Sequence, residues 1–198
     1  MTCAPGLSES DGNPLMALQN SQKMSNASPT NVNRLKVNAK SGTRILVNES
    51  ARYPPEGKRS VGIARAHDYG LHFTDYIQKA NQSIAVIIQI EHQDAVNNLD
   101  DILAVAGIDG VFIGPYDLSG SMNRLGDVFG EAVQEAIQTV KTKCAQKGIP
   151  VGLFLQQADR IGAELASGVS FLAVGTDTFF VWNGAQQVVN AFKAGLKR

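Results

Sequence analysis

From residue 83 onward the chain alternates short apolar runs with longer segments whose apolar positions recur every three or four residues. "SIAVIIQIE" is a continuous β-branched run, the pattern of a strand covered on both faces. In "QDAVNNLDDILAVAG", Ala95, Val96, Leu99, Ile102 and Leu103 fall at helical spacing, and Gly107 supplies the stop. "DGVFIG", "IPVGLFL" and "SFLAVG" predict further strands. "DVFGEAVQEAIQTVKTKCAQKG" predicts a helix burying Val128, Ala132, Val133, Ala136, Ile137, Val140 and Cys144. "QADRIGAELASG", ending at Gly168, and "TFFVWNGAQQVVNAFKAGLK" predict two more, and "FTDYIQKAN" a short one upstream. Four β–α units in succession imply α/β architecture with parallel strands, because parallel neighbours need a crossover.

Residues 1–50 follow no such pattern. They contain no aromatic residue, are rich in Ser and Asn, and offer little apolar area against the entropy of ordering. They read as a low-complexity, disordered or loosely packed leader, with one short strand at "TRILVNES". Residues 51–198 form the folded domain.

A doubly wound sheet and a (β/α)₈ barrel both begin with these units. No G-x-G-x-x-G follows any strand, and polar residues at successive strand ends favour the barrel, whose site is built from those tips. A complete barrel typically takes ~250 residues. The expectation is therefore a TIM-barrel type fold, incomplete, with four to five β/α units.

Composition excludes more than it selects. Formal net charge is zero across 198 residues and no Lys/Arg run stands out, which gives no reason to expect nucleic acid or an anionic membrane. Two cysteines, Cys3 and Cys144, lack metal-ligand spacing and fit a reducing compartment. No apolar run approaches the ~20 residues that span a bilayer. "MTCAPGLSES" lacks the pattern of a secretory signal, so a cytoplasmic location is expected.

Two apolar runs each end on an acid, Glu91 after "VIIQI" and Asp117 after "GVFIGPY". Positions two apart share a strand face, so Gln89 and Glu91 point together toward the barrel mouth. Glu91 alone also reads as a solvated strand end paired with a neighbouring cation. Asp117 alone also reads as a cap on the "GPYD" turn. As a pair on adjacent strands ~4.8 Å apart, the two carboxylates suit Mg²⁺ or Mn²⁺ rather than zinc.

These residues stand in recognisable company. "ARYPPEGKRSVG", "DYIQKAN", "VIIQIE", "GIDGVFIGPYDLS", "GIPVGLF" and "FLAVGTDT" resemble, in order and at similar intervals, the HpcH/HpaI aldolase/citrate lyase family of metal-dependent class II aldolases. The resemblance runs from about Ala51 to the C-terminus. It implies a (β/α)₈ barrel, commonly in a hexamer whose last helix packs on a neighbouring subunit. It also implies cleavage or formation of 2-oxo acid aldols from a pyruvate-type enolate and an aldehyde, with Mg²⁺, Mn²⁺ or Co²⁺. By that resemblance Glu91 and Asp117 are metal ligands and Gln89 is the strand-end residue near metal and substrate. The Tyr116 and Asp117 backbone N–H groups hold the substrate carboxylate, and Phe154 shapes the aldehyde pocket. Tyr116 replaces a common Ala.

The chain also departs from the family. Residues 1–50 contain neither a D-x-E-H nor a V-V-R-P segment, so the family's Asp/His pair and enolate-contacting Arg have no counterpart there. His67, His72 and His92 occupy other positions, and Arg59 and Arg65 read as structural. Asp177 reads as a helix cap, Phe179, Phe180 and Trp182 as packing or interface residues, and Cys144 as inert. Two alternatives accompany the aldolase: a non-catalytic paralogue or fragment retaining the metal half-site, and a citrate-lyase-like thioester lyase, for which no basic groove is evident.

Overall fold

A computed structural model describes residues 33–36 and 49–196. Strands β1 (Asn33–Lys36), β2 (Val86–Ile90), β3 (Gly110–Ile113), β4 (Val151–Leu155) and β5 (Phe171–Val174) form one sheet in chain order, every neighbouring pair parallel. The connections carry α1 (Phe73–Ser83), α2 (Gln93–Asn97), α3 (Leu99–Leu103), α4 (Pro115–Ser121), α5 (Glu131–Gln146) and α6 (Ile161–Ala166), and α7 (Asp177–Gly195) follows β5. This is the parallel α/β arrangement the patterning predicts.

Period-two alternation divides each strand between two environments. Val86, Ile88 and Ile90, Val111 and Ile113, and Val151, Leu153 and Leu155 pack with α2, α3 and α5 in one buried cluster. The opposite face carries Ile87, Gln89 and Glu91, then Gly110, Phe112 and Gly114, then Gly152, Phe154 and Gln156. Small residues there make room for rings: Phe112 stacks on Phe171 at 6.0 Å between centroids. A Cβ at Gly152 would stand 2.1 Å from the Phe171 ring.

The structure refines several expectations. The helix expected across 93–107 is two short helices joined at Asn98, whose amide donates to the Asp94 carbonyl at 2.8 Å and diverts the chain. The helix expected over 127–148 starts at Glu131, after a turn at Gly130, and Val128 packs from the preceding loop. The stripe of α5 also buries Lys141, its ammonium 2.6 Å from Glu164 Oε2 and 2.9 Å from Ser167 Oγ. Arg160 Nη2 donates to the other Glu164 oxygen at 3.2 Å. "GPYD" forms the start of α4 rather than an isolated turn, because Pro115 fixes a helical φ at the first position. β1 lies within the segment read as a leader, while the strand expected at 43–50 falls, except for its last two residues, outside the described region.

The segment before α1 is pinned to the sheet. Tyr53 N–H donates to Asn81 Oδ1 and Asn81 Nδ2 to the Tyr53 carbonyl, each at 2.8 Å. Arg52 lies 3.6 Å from Asp109, which accepts from Val86 N–H. The Arg59 guanidinium lies 4.9 Å from the Tyr53 ring centroid. His67 is buried between the Phe73 and Tyr76 rings. Burial, with a hydrogen bond to Tyr53, pushes the Tyr76 hydroxyl up to about 12. Burial alone pushes the Cys144 thiol up to about 12, which keeps it protonated and unreactive. No described helix is long and apolar enough to cross a membrane.

Candidate active site

The site grows out of the strand ends. Ile90 pairs with Ile113 and Ile113 with Leu153. One residue further along that register, Glu91, Gly114 and Phe154 stand level on three adjacent strands, all on the face away from the main core. The glycine in the middle opens the space. A Cβ at Gly114 would lie 2.9 Å from Gln89 Nε2 and 3.1 Å from Glu91 Oε2. Gln89 and Glu91 are themselves joined, the amide donating to the carboxylate. Both are buried, Glu91 at 8% exposure, so the carboxylate is partly desolvated and held by its neighbour.

Asp117 follows the end of β3 by four residues. It lies in the first turn of α4 and is exposed. Ser119 and Ser121 fix that helix. Ser119 Oγ donates to the Tyr116 carbonyl at 2.7 Å and accepts from Gly126 N–H at 3.1 Å. Ser121 Oγ accepts from Gln93 N–H at 2.9 Å, tying the end of α4 to the chain two residues past Glu91. The strand tips of β2 and β3 are thereby clasped in one geometry.

Pro115 has no N–H, so Tyr116 and Asp117 present the first amide donors of α4. The Tyr116 hydroxyl donates to Gln156 Oε1 at 3.0 Å, across the tip of β4. Tyr116, Phe154 and Gln156 line two cavities. One, of about 180 Å³, extends to Gly175, Thr176 and Phe179. The other, of about 70 Å³, runs between α5 and α6 toward Arg160 and Glu164.

Gln89 and Glu91 thus meet directly, and Tyr116 and Phe154 share a cavity wall. Asp117 stands on the helix that Ser121 anchors to Gln93. His92 is not part of this group: it caps α2, its Nδ1 accepting from Asp94 N–H at 3.1 Å. Gly114 and Gln156 were not singled out from sequence, although the same period-two rule points to both, since Gln156 stands to Phe154 as Glu91 stands to Gln89.

The donor set fits a small hard cation. Among the described residues no group of three or more His, Cys, Asp or Glu converges. A carboxylate such as Glu91, with room left for water and substrate oxygens, is the kind of ligand by which Mg²⁺ and Mn²⁺ are commonly held. The space a Cβ at Gly114 would fill lies directly beside Glu91 Oε2.

A profile of the family described as HpcH/HpaI aldolase/citrate lyase matches residues 17–184, beginning well before Ala51. The 5-keto-4-deoxy-D-glucarate aldolases of Shigella dysenteriae serotype 1 and of Escherichia coli K12 are each 37% identical over 145 residues, 73% of this chain. That alignment spans 56% of each relative, so the chain covers about half the length of the curated relatives it matches. Among solved structures, an HpcH/HpaI aldolase from Desulfitobacterium hafniense DCB-2 superposes with a TM-score of 0.71 at 29% identity, covering 82% of this chain and 64% of that one. A family protein from Burkholderia cenocepacia J2315 gives 0.74 at 25%, covering 87% and 68%.

Proposed function

Because the chain belongs to the HpcH/HpaI aldolase/citrate lyase family, we propose that it is a divalent-metal-dependent carbon–carbon lyase acting on 2-oxo acid aldols. The observation that carries this is the buried Glu91, held by Gln89 beside the space over Gly114. The named activity of the curated relatives supports a 2-oxo acid substrate.

Glu91 and Asp117 would hold the ion, Mg²⁺ or Mn²⁺ with Co²⁺ as a substitute. When bound, it supplies Lewis acidity to a 2-oxo group. The protein does the rest. Gln89 fixes the rotamer of Glu91, and the Tyr116 and Asp117 amides orient the substrate carboxylate. Phe154 walls the site with apolar surface and limits the water that would protonate a carbanion. The partner molecules are a small 2-oxo acid and an aldehyde, met in the cytoplasm. The apolar side chains exposed on α7, among them Phe180, Trp182 and Phe192, support a homo-oligomer, with the hexamer of the family as its form.

The test is exchange of pyruvate methyl protons with solvent deuterium, using metal-stripped protein with and without added Mn²⁺. Exchange that requires Mn²⁺ and falls at least a hundredfold in Glu91→Gln supports the reading. Metal-independent exchange, or full activity in that variant, refutes it. A second reading, metal and 2-oxo acid binding without turnover, is favoured by the lack of the D-x-E-H and V-V-R-P segments in residues 1–50. Calorimetric Mn²⁺ binding without exchange identifies it.

A further inference from the structure

The charged cluster between α5 and α6 does not balance. Glu164 Oε2 takes Lys141 Nζ at 2.6 Å, and its Oε1 takes Arg160 Nη2 at 3.2 Å. Two cations thus share one carboxylate, and the trio carries an excess positive charge. The Lys141 and Glu164 side chains are only 8% and 7% exposed, so water compensates little of that excess, and an uncompensated charge out of water is costly. Lys141 is turned inward, its ammonium also donating to Ser167 Oγ at 2.9 Å. Arg160 has donors to spare. Among the described residues only Glu164 accepts from it, through Nη2, whereas a guanidinium carries five N–H donors. Its cationic carbon lies 4.8 Å from the Phe129 ring centroid, a contact that steadies the group.

This cation lines a cavity of about 70 Å³. Val128, Phe129 and Ile137 wall the cavity from α5 and the loop before it, and Leu153 and Leu155 from β4. Both leucines belong to the core cluster under the helices, on the strand face opposite Phe154, so the body of the cavity lies in the helix layer. Tyr116 and Phe154 also border it. At ~10–15 Å³ for each water-sized position, the space admits about five or six linked heavy atoms. An apolar enclosure with one undercompensated cation suits a molecule with a compact hydrocarbon body and a single negative end.

We propose that this cavity is a binding site for a short branched monocarboxylate, separate from the reacting 2-oxo acid. The carboxylate lies on the Arg160 guanidinium and neutralises the excess charge of the trio, while the hydrocarbon body fills the space among Val128, Ile137, Leu153 and Leu155. Glu164 also lines the cavity, but each of its oxygens already faces a cation. The site goes beyond the aldolase reading and needs neither metal nor turnover.

The experiment is titration calorimetry of isobutyrate into the metal-stripped full chain, with acetate and isobutyramide as comparisons. Isobutyrate is expected to saturate one site with a Kd of about 1 mM or tighter, the scale open to a ligand of so few atoms. Acetate, lacking the branched body, is expected to bind about tenfold more weakly. Isobutyramide, lacking the charge, is expected to lose about tenfold or more. Arg160→Met, which keeps an apolar contact for Phe129, and Val128→Phe, which fills the space, should each weaken isobutyrate by about tenfold or more, with thermal denaturation as a check on folding. Lack of saturable heat, equal binding of acetate or isobutyramide, wild-type affinity in folded Arg160→Met, or displacement of isobutyrate by pyruvate overturns the proposal. Pyruvate proton exchange is a separate measurement, so failure of this site and failure of the aldolase reading are distinguishable.

Discussion

Replacing Gly114 by alanine tests whether the rim over Gly114 is a working cradle. The backbone there, φ −105° and ψ 91°, is open to any residue, so the consequence arises from contacts alone. The new methyl would lie 2.9 Å from Gln89 Nε2, 3.1 Å from Glu91 Oε2 and 3.2 Å from Glu91 Cβ. Reaching an ordinary separation of 3.4 Å requires the amide to retreat by roughly 0.5 Å and the carboxylate by roughly 0.3 Å. Both are buried, so they yield by leaving their rotamers, at about 0.5–1.5 kcal/mol. Loss of glycine at the helix N-cap adds about 0.5 kcal/mol. Gly114→Ala is thus expected to lose about 1–2 kcal/mol of stability and to bind Mn²⁺ about ten- to a hundredfold more weakly. Gly162→Ala is the control: nothing lies within 4 Å of its Cβ, and α6 should gain about 0.5–1 kcal/mol. Titration calorimetry with Mn²⁺ and thermal denaturation read both quantities. Unchanged Mn²⁺ affinity and an unchanged midpoint in Gly114→Ala would show that the glycine guards no site.

Two further outcomes follow from burial. Lys141→Met strips the near cation from Glu164 and leaves only Arg160 on the other oxygen, so urea denaturation should show a loss of about 3 kcal/mol. A wild-type urea midpoint would mean the pair is solvated in solution. In alkali, Cys144 and Tyr76 titrate near 12 when folded but from 9.0 and 10.0 when unfolded, so the unfolded chain releases protons first. Stability should hold below about pH 9 and decline steadily above it, with a shallower decline in Cys144→Ala. Melting temperatures from about pH 8 to 11 measure this, and a flat profile contradicts it.

Much of this was legible in the residues because parallel strands buried on both faces write continuous apolar runs. β2 through β5 lie where those runs stand, and the Gln89–Glu91 contact follows from spacing two apart. The resemblance supplied what spacing does not: the expectation of a ligand pair split between a strand end and a helix start. Short-range polarity hid the rest. Asn98 marks the break between two helices, its side-chain amide donating to the Asp94 carbonyl, and Pro115 turns an apparent loop into α4. β1, from "NRLK", has no apolar run and draws its conformation from pairing with β2. The burial of Lys141 depends on a partner 23 residues away on another helix, which helical spacing does not reveal. Gln156 was silent for a similar reason, since its meaning depends on a tyrosine from a different strand tip.

The strand order has a last consequence. Each strand of this sheet bonds only to its immediate predecessor and successor, so among the described strands β1 and β5 are held along one side and β2, β3 and β4 along two. Thermal fraying therefore begins at the margins and must consume a whole ladder before it reaches the interior. Glu91, Asp117 and the Tyr116–Gln156 bond follow from the three middle strands, so the candidate site should stay assembled through excursions that already loosen the periphery.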